Sequence, residues 1–300
     1  MFVITGATGN TGRVIAEKLL AQGEKVRVVG RDAGRLARFV QKGAEAFPAD
    51  VTDAAALAQA FEGASGVYAL VPPNIAAADA RGYHESVSDA LASALGKASV
   101  THAVVLSSIG ADKPERTGPV VGIHNLEEKL NGIAGLNAVY LRAGYFMENL
   151  LPQVDVIRNF GVAGGPLRAD LKVPMIATRD IGAAAAEILL KRDFSGKQAR
   201  ELLGQRDLDH KEAAAVIGKA VGKPELAYVQ LPPQQVKPAL TQMGMSPGMA
   251  DLLLEMSEAL NSGYMVALES RSEANTTPTS LETFVAEDFV PRFQARAAGA

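Results

Sequence analysis

The segment Thr5-Gly6-Ala7-Thr8-Gly9-Asn10-Thr11-Gly12 spaces three glycines three residues apart, behind the apolar run Met1–Ile4 and ahead of the periodic segment Val14–Leu20. That context predicts a buried strand ending in a glycine turn that opens a helix. Glycines let a backbone turn tightly and approach a ligand, and the first helical N–H groups, with the positive end of the helix dipole, attract anions. The segment is therefore a candidate pyrophosphate cradle, with Gly6, Thr8, Gly9, Asn10, Thr11 and Gly12 facing the ligand. A second candidate, Gly30-Arg31, follows the next apolar run, Lys25–Val29. Sites for NAD carry an acid at this strand end to hold the ribose 2′-OH. Arg31 suits a 2′-phosphate instead, because a planar guanidinium meets phosphate oxygens two at a time. NADP(H) is the preferred cofactor on this reading, and Asp32, one position late, leaves NAD(H) open. Arg35 and Arg38 follow at helical spacing and are read as a solvated face.

Positioning such a cradle takes alternating strands and helices, and the chain supplies them. After a helix over residues 33–42 come a strand at 44–50, a helix over Ala54–Phe61 and a strand over Gly66–Val71, stopped by Pro72-Pro73. A helix over Tyr83–Lys97, a strand His102–Leu106 ending in Ser107-Ser108, a helix Asn125–Ile133 and a strand Ala138–Arg142 follow. Repeated βα units with short connections predict an α/β fold: a doubly wound parallel sheet, Rossmann-like, binding its ligand outside the carboxyl ends of the strands. Past Gly144 the pattern gives a helix over Glu148–Phe160, a turn at 161–166 and a strand Lys172–Ala177 that returns to the sheet. Thr178 is read as the N-cap of a helix reaching Leu190. Residues 1–150 plus about 173–193 are thus assigned to the nucleotide-binding domain. Residues about 151–172 plus 194–300, with helical stretches at 211–221, 233–243, 249–260 and 279–292, form a smaller C-terminal α+β lobe closing over the nicotinamide end.

The glycine segment resembles that of the extended and atypical short-chain dehydrogenases. Together with Gly30-Arg31-Asp32, the run Leu141-Arg142-Ala143-Gly144-Tyr145-Phe146-Met147-Glu148-Asn149, Arg179-Asp180-Ile181-Gly182 and Phe194-Ser195-Gly196, it is similar to the NmrA-like family, across most of the chain. The resemblance implies adenine contacts at Asp50 and Val51, cover of the adenine ribose and pyrophosphate by Leu70, Val71 and Pro72, and a nicotinamide pocket lined by Gly144, Tyr145 and Phe146. Most short-chain dehydrogenases use a Tyr with a Lys four residues later. None of the six tyrosines here has that Lys, so chemistry by that dyad is not expected. His124 stands where many relatives carry a Lys beside the nicotinamide ribose, and the quinone oxidoreductase branch resembles this chain in having His there. It either anchors that ribose, donates a proton as imidazole can near neutral pH, or simply hydrogen-bonds at a helix start. Ser107-Ser108 either reach the ligand or cap the next turn. His84, His102 and His210 are read as structural or solvent-facing. Tyr145 is the second candidate for a chemical role, the alternative being a packed aromatic at a domain junction.

Composition narrows the field. The 300 residues hold no Cys, which excludes disulfides and thiolate chemistry, and the four histidines are too dispersed for a zinc motif. A net charge of −3 without an aromatic-interleaved basic patch argues against direct nucleic-acid binding. No apolar stretch approaches the roughly 20 residues of a membrane span, so a cytoplasmic location is expected. The expected activity is hydride transfer from NADPH to a planar small-molecule electron acceptor such as a quinone. The alternative is an NADP(H)-sensing protein that signals to a protein partner with little or no turnover.

Overall fold

Seven parallel strands carry the molecule, in the order β3-β2-β1-β4-β5-β6-β10. In a computed structural model describing residues 1–295, they are β1 (Phe2–Thr5), β2 (Val26–Gly30), β3 (Glu45–Pro48), β4 (Gly66–Ala69), β5 (His102–Ser108), β6 (Asn137–Ala143) and β10 (Lys197–Leu202). Strand order reverses at β1, which pairs with β2 on one side and β4 on the other. The crevice above the carboxyl end of β1 is therefore the switch point where such sheets take ligands.

Side chains alternate across the sheet with period two, and each face buries its own set. Phe2, Ile4, Tyr68 and Val104 pack beneath α1 (Asn10–Ala21), α2 (Ala33–Val40) and α7 (Thr178–Lys191). Val3, Val67, Ala69 and Val105 pack beneath α3 (Ala54–Phe61), α4 (Ala80–Lys97) and α5 (Val120–Asn131). A third core lies in the lobe, where Met147, Ile157, Met175, Ile217 and Phe284 meet. Around it are β7 (Tyr145–Phe146), α6 (Gln153–Phe160), β8 (Ala163–Gly165), β9 (Val173–Ile176), β11 (Arg206–Leu208), α8 (His210–Ala220), β12 (Tyr228–Gln230), α9 (Pro233–Gln242) and α10 (Pro247–Asn261).

Three expectations for the second half need correcting. The strand at 173–176 does not return to the large sheet; it joins β7 and β11 in a separate three-stranded sheet. The seventh strand is β10, from the stretch the sequence had assigned wholly to the lobe. Its sequence Lys-Gln-Ala-Arg-Glu-Leu is polar because it forms the edge, where charged side chains discourage further pairing. Second, Thr178 is the first residue of α7 and Ala177 its cap position, without a side-chain cap of its own. The Thr178 N–H donates instead to the Glu148 carboxylate, 3.0 and 3.1 Å from its two oxygens. The segment after β7 also divides, into a 3₁₀ turn over Met147–Leu150 and α6, with Pro152 at the break. Residues 296–300 of the lobe as read from sequence lie outside the described residues.

Candidate functional site

At the switch point Gly6 and Gly12 each have a steric reason, and Gly9 has a positional one. Gly6 has φ +60°, a conformation L side chains rarely adopt, and a Cβ there would sit 2.9 Å from Leu70. A Cβ at Gly12 would lie 2.4 Å from the Gly6 carbonyl oxygen, so the helix can approach the turn only without one. Gly9 is the N-cap of α1, exposed and extended at φ −84°, ψ 179°. Asp32, Asp53, Asp79, Asp209 and Ser246 cap five other helices with their side chains, whereas α1, like α5, α6, α7 and α9, has no such cap. Gly9 and Asn10, at that helix start, are both exposed. An uncapped helix start lined by glycine fits a pyrophosphate. Thr11 points the other way: its hydroxyl is buried and accepts from Tyr68 Oη at 2.8 Å, tying α1 to β4. Thr8 is half-buried beside the turn.

The end expected to take the adenosine lies past β2 and β3. Arg31 is exposed just past β2, and the Asp32 carboxylate is occupied by the Arg35 N–H at 3.2 Å, capping α2. The acid that left room for NAD is thus turned onto a helix. Asp50 accepts from the Thr52 N–H at 2.9 Å and its hydroxyl at 2.7 Å. These bonds hold its carboxyl below the ordinary range, and the Arg31 guanidinium adds to the effect. Tyr83, which sequence reasoning passed over, shares this corner; burial raises its phenol, the Asp50 charge raises it further, and Arg31 opposes both. Val51 and Leu70 are buried, while Val71 and Pro72 are half-exposed.

At the other end, His124 lies inside α5, which begins at Val120, five residues earlier than expected. Its Nδ1 lies 2.8 Å from the Ala111 carbonyl oxygen. A carbonyl only accepts, so Nδ1 carries the proton and Nε2 is the atom left to accept or to take up another. Ser107, expected to reach the ligand, is buried at 3% exposure and donates to Glu127 Oε1 at 2.5 Å. The reason is a buried network the sequence does not announce: Glu127 also takes Arg142 Nη2 at 2.6 Å and Nε at 3.1 Å. Gly144 answers to packing, since a Cβ there would lie 2.4 Å from the Pro174 carbonyl oxygen. Tyr145 and Phe146 diverge as strand neighbours do: Phe146 packs on the sheet core, Tyr145 on the lobe core. Burial pushes the Tyr145 phenol up to about 12, so it is neutral and protonated. Among the described residues no group of three or more His, Asp or Glu is placed to hold a metal, and no helix is long and apolar enough to cross a membrane.

The profile of the NmrA-like family matches residues 1–285. The chain belongs to that family. An NAD(P)H azoreductase from Xenophilus azovorans is 28% identical over 273 residues, 89% of this chain and 90% of its own. The NADPH-dependent quinone oxidoreductase of Escherichia coli, solved with NADPH, superposes with a TM-score of 0.79 at 25% identity, over 95% of this chain and 99% of its own. NmrA itself, a negative transcriptional regulator solved with NADP, aligns at a TM-score of 0.69 and 16% identity over 98% and 97% of the two chains, which shows the shared fold. Landmarks that carried the family resemblance hold the NmrA-like body together. Asp180 accepts from the Thr279 N–H at 2.9 Å and its hydroxyl at 2.7 Å, and Gly182 leaves room for Val14 of α1.

Proposed function

We propose that this protein is an NADP(H)-dependent oxidoreductase reducing a planar acceptor of the quinone or azo type. The observation carrying it is the glycine-lined, uncapped start of α1 at the sheet's switch point, with Arg31 free beyond β2 while Asp32 is turned onto α2. Its supports are the azoreductase and quinone oxidoreductase relatives, matched over nearly nine-tenths of the chain. The cofactor, when bound, supplies the hydride. The N–H groups opening α1 hold its pyrophosphate, with Gly6, Gly9 and Gly12 keeping side chains out of the way. Arg31 grips the 2′-phosphate, and Asp50, Val51, Leu70, Val71 and Pro72 enclose the adenosine. His124, its Nδ1 committed to Ala111, turns Nε2 to the nicotinamide ribose or to a proton in transit. Gly144, Tyr145 and Phe146 border the nicotinamide end. Residues 1–150, α7 and β10 form the cofactor-binding body, and the remainder of 151–295 forms the acceptor-side lobe.

The test is a pair of titrations with NADPH and NADH, followed by consumption of each with a panel of quinones and azo dyes. Tighter binding of NADPH and its oxidation by at least one acceptor are expected. Tight NADPH binding with no consumption by any acceptor would overturn the reductase reading in favour of a sensor.

A further inference from the structure

Three rings meet where the chain leaves the large sheet for the lobe. Tyr145 follows Gly144 directly from the carboxyl end of β6, the edge where parallel sheets present their ligands. Its ring meets that of His210 edge-on, centroids 5.7 Å apart at 79°. His210 in turn lies 4.8 Å from Tyr228, tilted by 40°. The small sheet makes this meeting: β7 pairs with β9 at Tyr145–Met175, and β11, pairing with β9 at Leu208–Val173, delivers His210 as the first residue of α8.

His210 is 4% exposed, yet Nδ1 is buried without a hydrogen-bond partner, and among the described residues none reaches Nε2 either. Buried polar groups are nearly always hydrogen-bonded, and a packing role needs no imidazole: Phe or Leu would fill the space without unpaired nitrogens. The two flanking hydroxyls differ. Tyr228 Oη is committed, donating to the Leu167 carbonyl oxygen at 3.0 Å. Tyr145 Oη has no partner among the described residues. An unpaired imidazole thus adjoins an unpaired phenol just past the carboxyl end of β6.

We propose that His210 and Tyr145 are the acceptor-binding pair, donating hydrogen bonds from Nε2–H and Oη to an oxygen of a planar carbonyl-bearing acceptor such as a quinone. The assignment rests on the reductase reading above. Nε2 is the nitrogen that meets the ligand, because Nδ1 is sealed. Burial pulls the imidazole down to about 4 against the attraction of Asp209, so at neutral pH His210 is an uncharged donor and not a proton source. Hydride addition to a quinone moves an electron pair onto its oxygen, and the proton that completes the hydroquinone is taken from water. Donors placed at that oxygen bind it more strongly as charge develops, so they act on kcat as well as on KM.

The experiment uses His210→Phe, which keeps the ring and removes both nitrogens, and His210→Gln, which restores an N–H. With 1,4-naphthoquinone, His210→Phe is expected to lose about tenfold or more in kcat/KM, the value of one hydrogen bond to developing charge. NADPH affinity stays within about twofold, and His210→Gln recovers part of the loss. A folded His210→Phe protein with unchanged kcat/KM overturns the proposal. If the wild type never consumes NADPH, the reductase reading fails by itself, and the contact is judged by binding. The His210 imidazole resonances of the NADP⁺-loaded protein, assigned through His210→Phe, must then shift on titration with 1,4-dihydroxynaphthalene. Resonances that do not move overturn the assignment.

Discussion

Gly9→Asp separates folding from cofactor binding more sharply than any other substitution in the cradle. Gly9 is extended, not left-handed, and a Cβ there meets only the Gly6 carbonyl oxygen at 3.2 Å, so an aspartate fits after a small adjustment. Asp is among the best N-cap residues, and its carboxylate would accept from the N–H of Thr11 or Gly12, adding a few tenths of a kcal/mol over Gly. The favourable dipole interaction adds about 0.3–1 kcal/mol. The same carboxylate occupies the donors a pyrophosphate needs and sets a negative charge beside it. At ~4 Å, repulsion of one phosphate charge is about 1 kcal/mol in water and about 4 kcal/mol at the effective dielectric of a protein surface. NADPH affinity should therefore fall by about fivefold to a thousandfold, while Tm stays level or rises by about 1–3 °C. Fluorescence titration and thermal unfolding on one preparation read both quantities. Unchanged NADPH affinity in the folded variant would refute the cradle, and with it the functional reading.

Arg31→Ala should weaken NADPH by about 1.5–3 kcal/mol and NADH hardly at all, since the lost contact is a charge-assisted bond to the 2′-phosphate; equal losses for both would remove Arg31 from that role. His124→Phe separates its two chemical roles: a ribose anchor shows as weaker NADPH binding, a proton role as slower quinone turnover with binding intact, and insensitivity of both assigns the residue to its bond with Ala111. His210 also predicts a pH effect on stability. Its imidazole falls from 6.5 to about 4 on folding, so the native state resists a proton that the unfolded chain accepts. The stability this represents, about 3 kcal/mol, is fully present above pH 6.5 and lost as pH falls towards 4. Urea unfolding of wild type and His210→Phe should give free energies whose difference shifts by that amount, towards the variant, between pH 7 and pH 4; parallel pH dependence would contradict the buried neutral imidazole.

What the sequence determined by itself were the features written locally. Apolar runs of strand length, helical periodicity and glycines at a strand-to-helix turn sit within a few residues of one another, and each constrains its own backbone. That sufficed for the parallel sheet, for the glycine turn through Gly6, Gly9 and Gly12 between β1 and α1, and for the position of Arg31 just past β2. The tertiary structure decided whatever depends on partners distant in sequence. Lys197–Leu202 carries no buried alternation because it is an edge, so only pairing with β6 makes it the seventh strand. Val173–Ile176 is as apolar as a central strand but is claimed by β7 and β11. Thr178 has the side chain of an N-cap, yet Glu148, from another element, meets its N–H. Ser107 has the look of a ligand contact, yet its hydroxyl donates inward to Glu127, a carboxylate that Arg142 also holds. His210 shows the divide most plainly: on the chain it is one more helix-start histidine, and its two unpaired nitrogens, its neutrality and its contact with Tyr145 exist only because a small sheet folds α8 against the end of the large one.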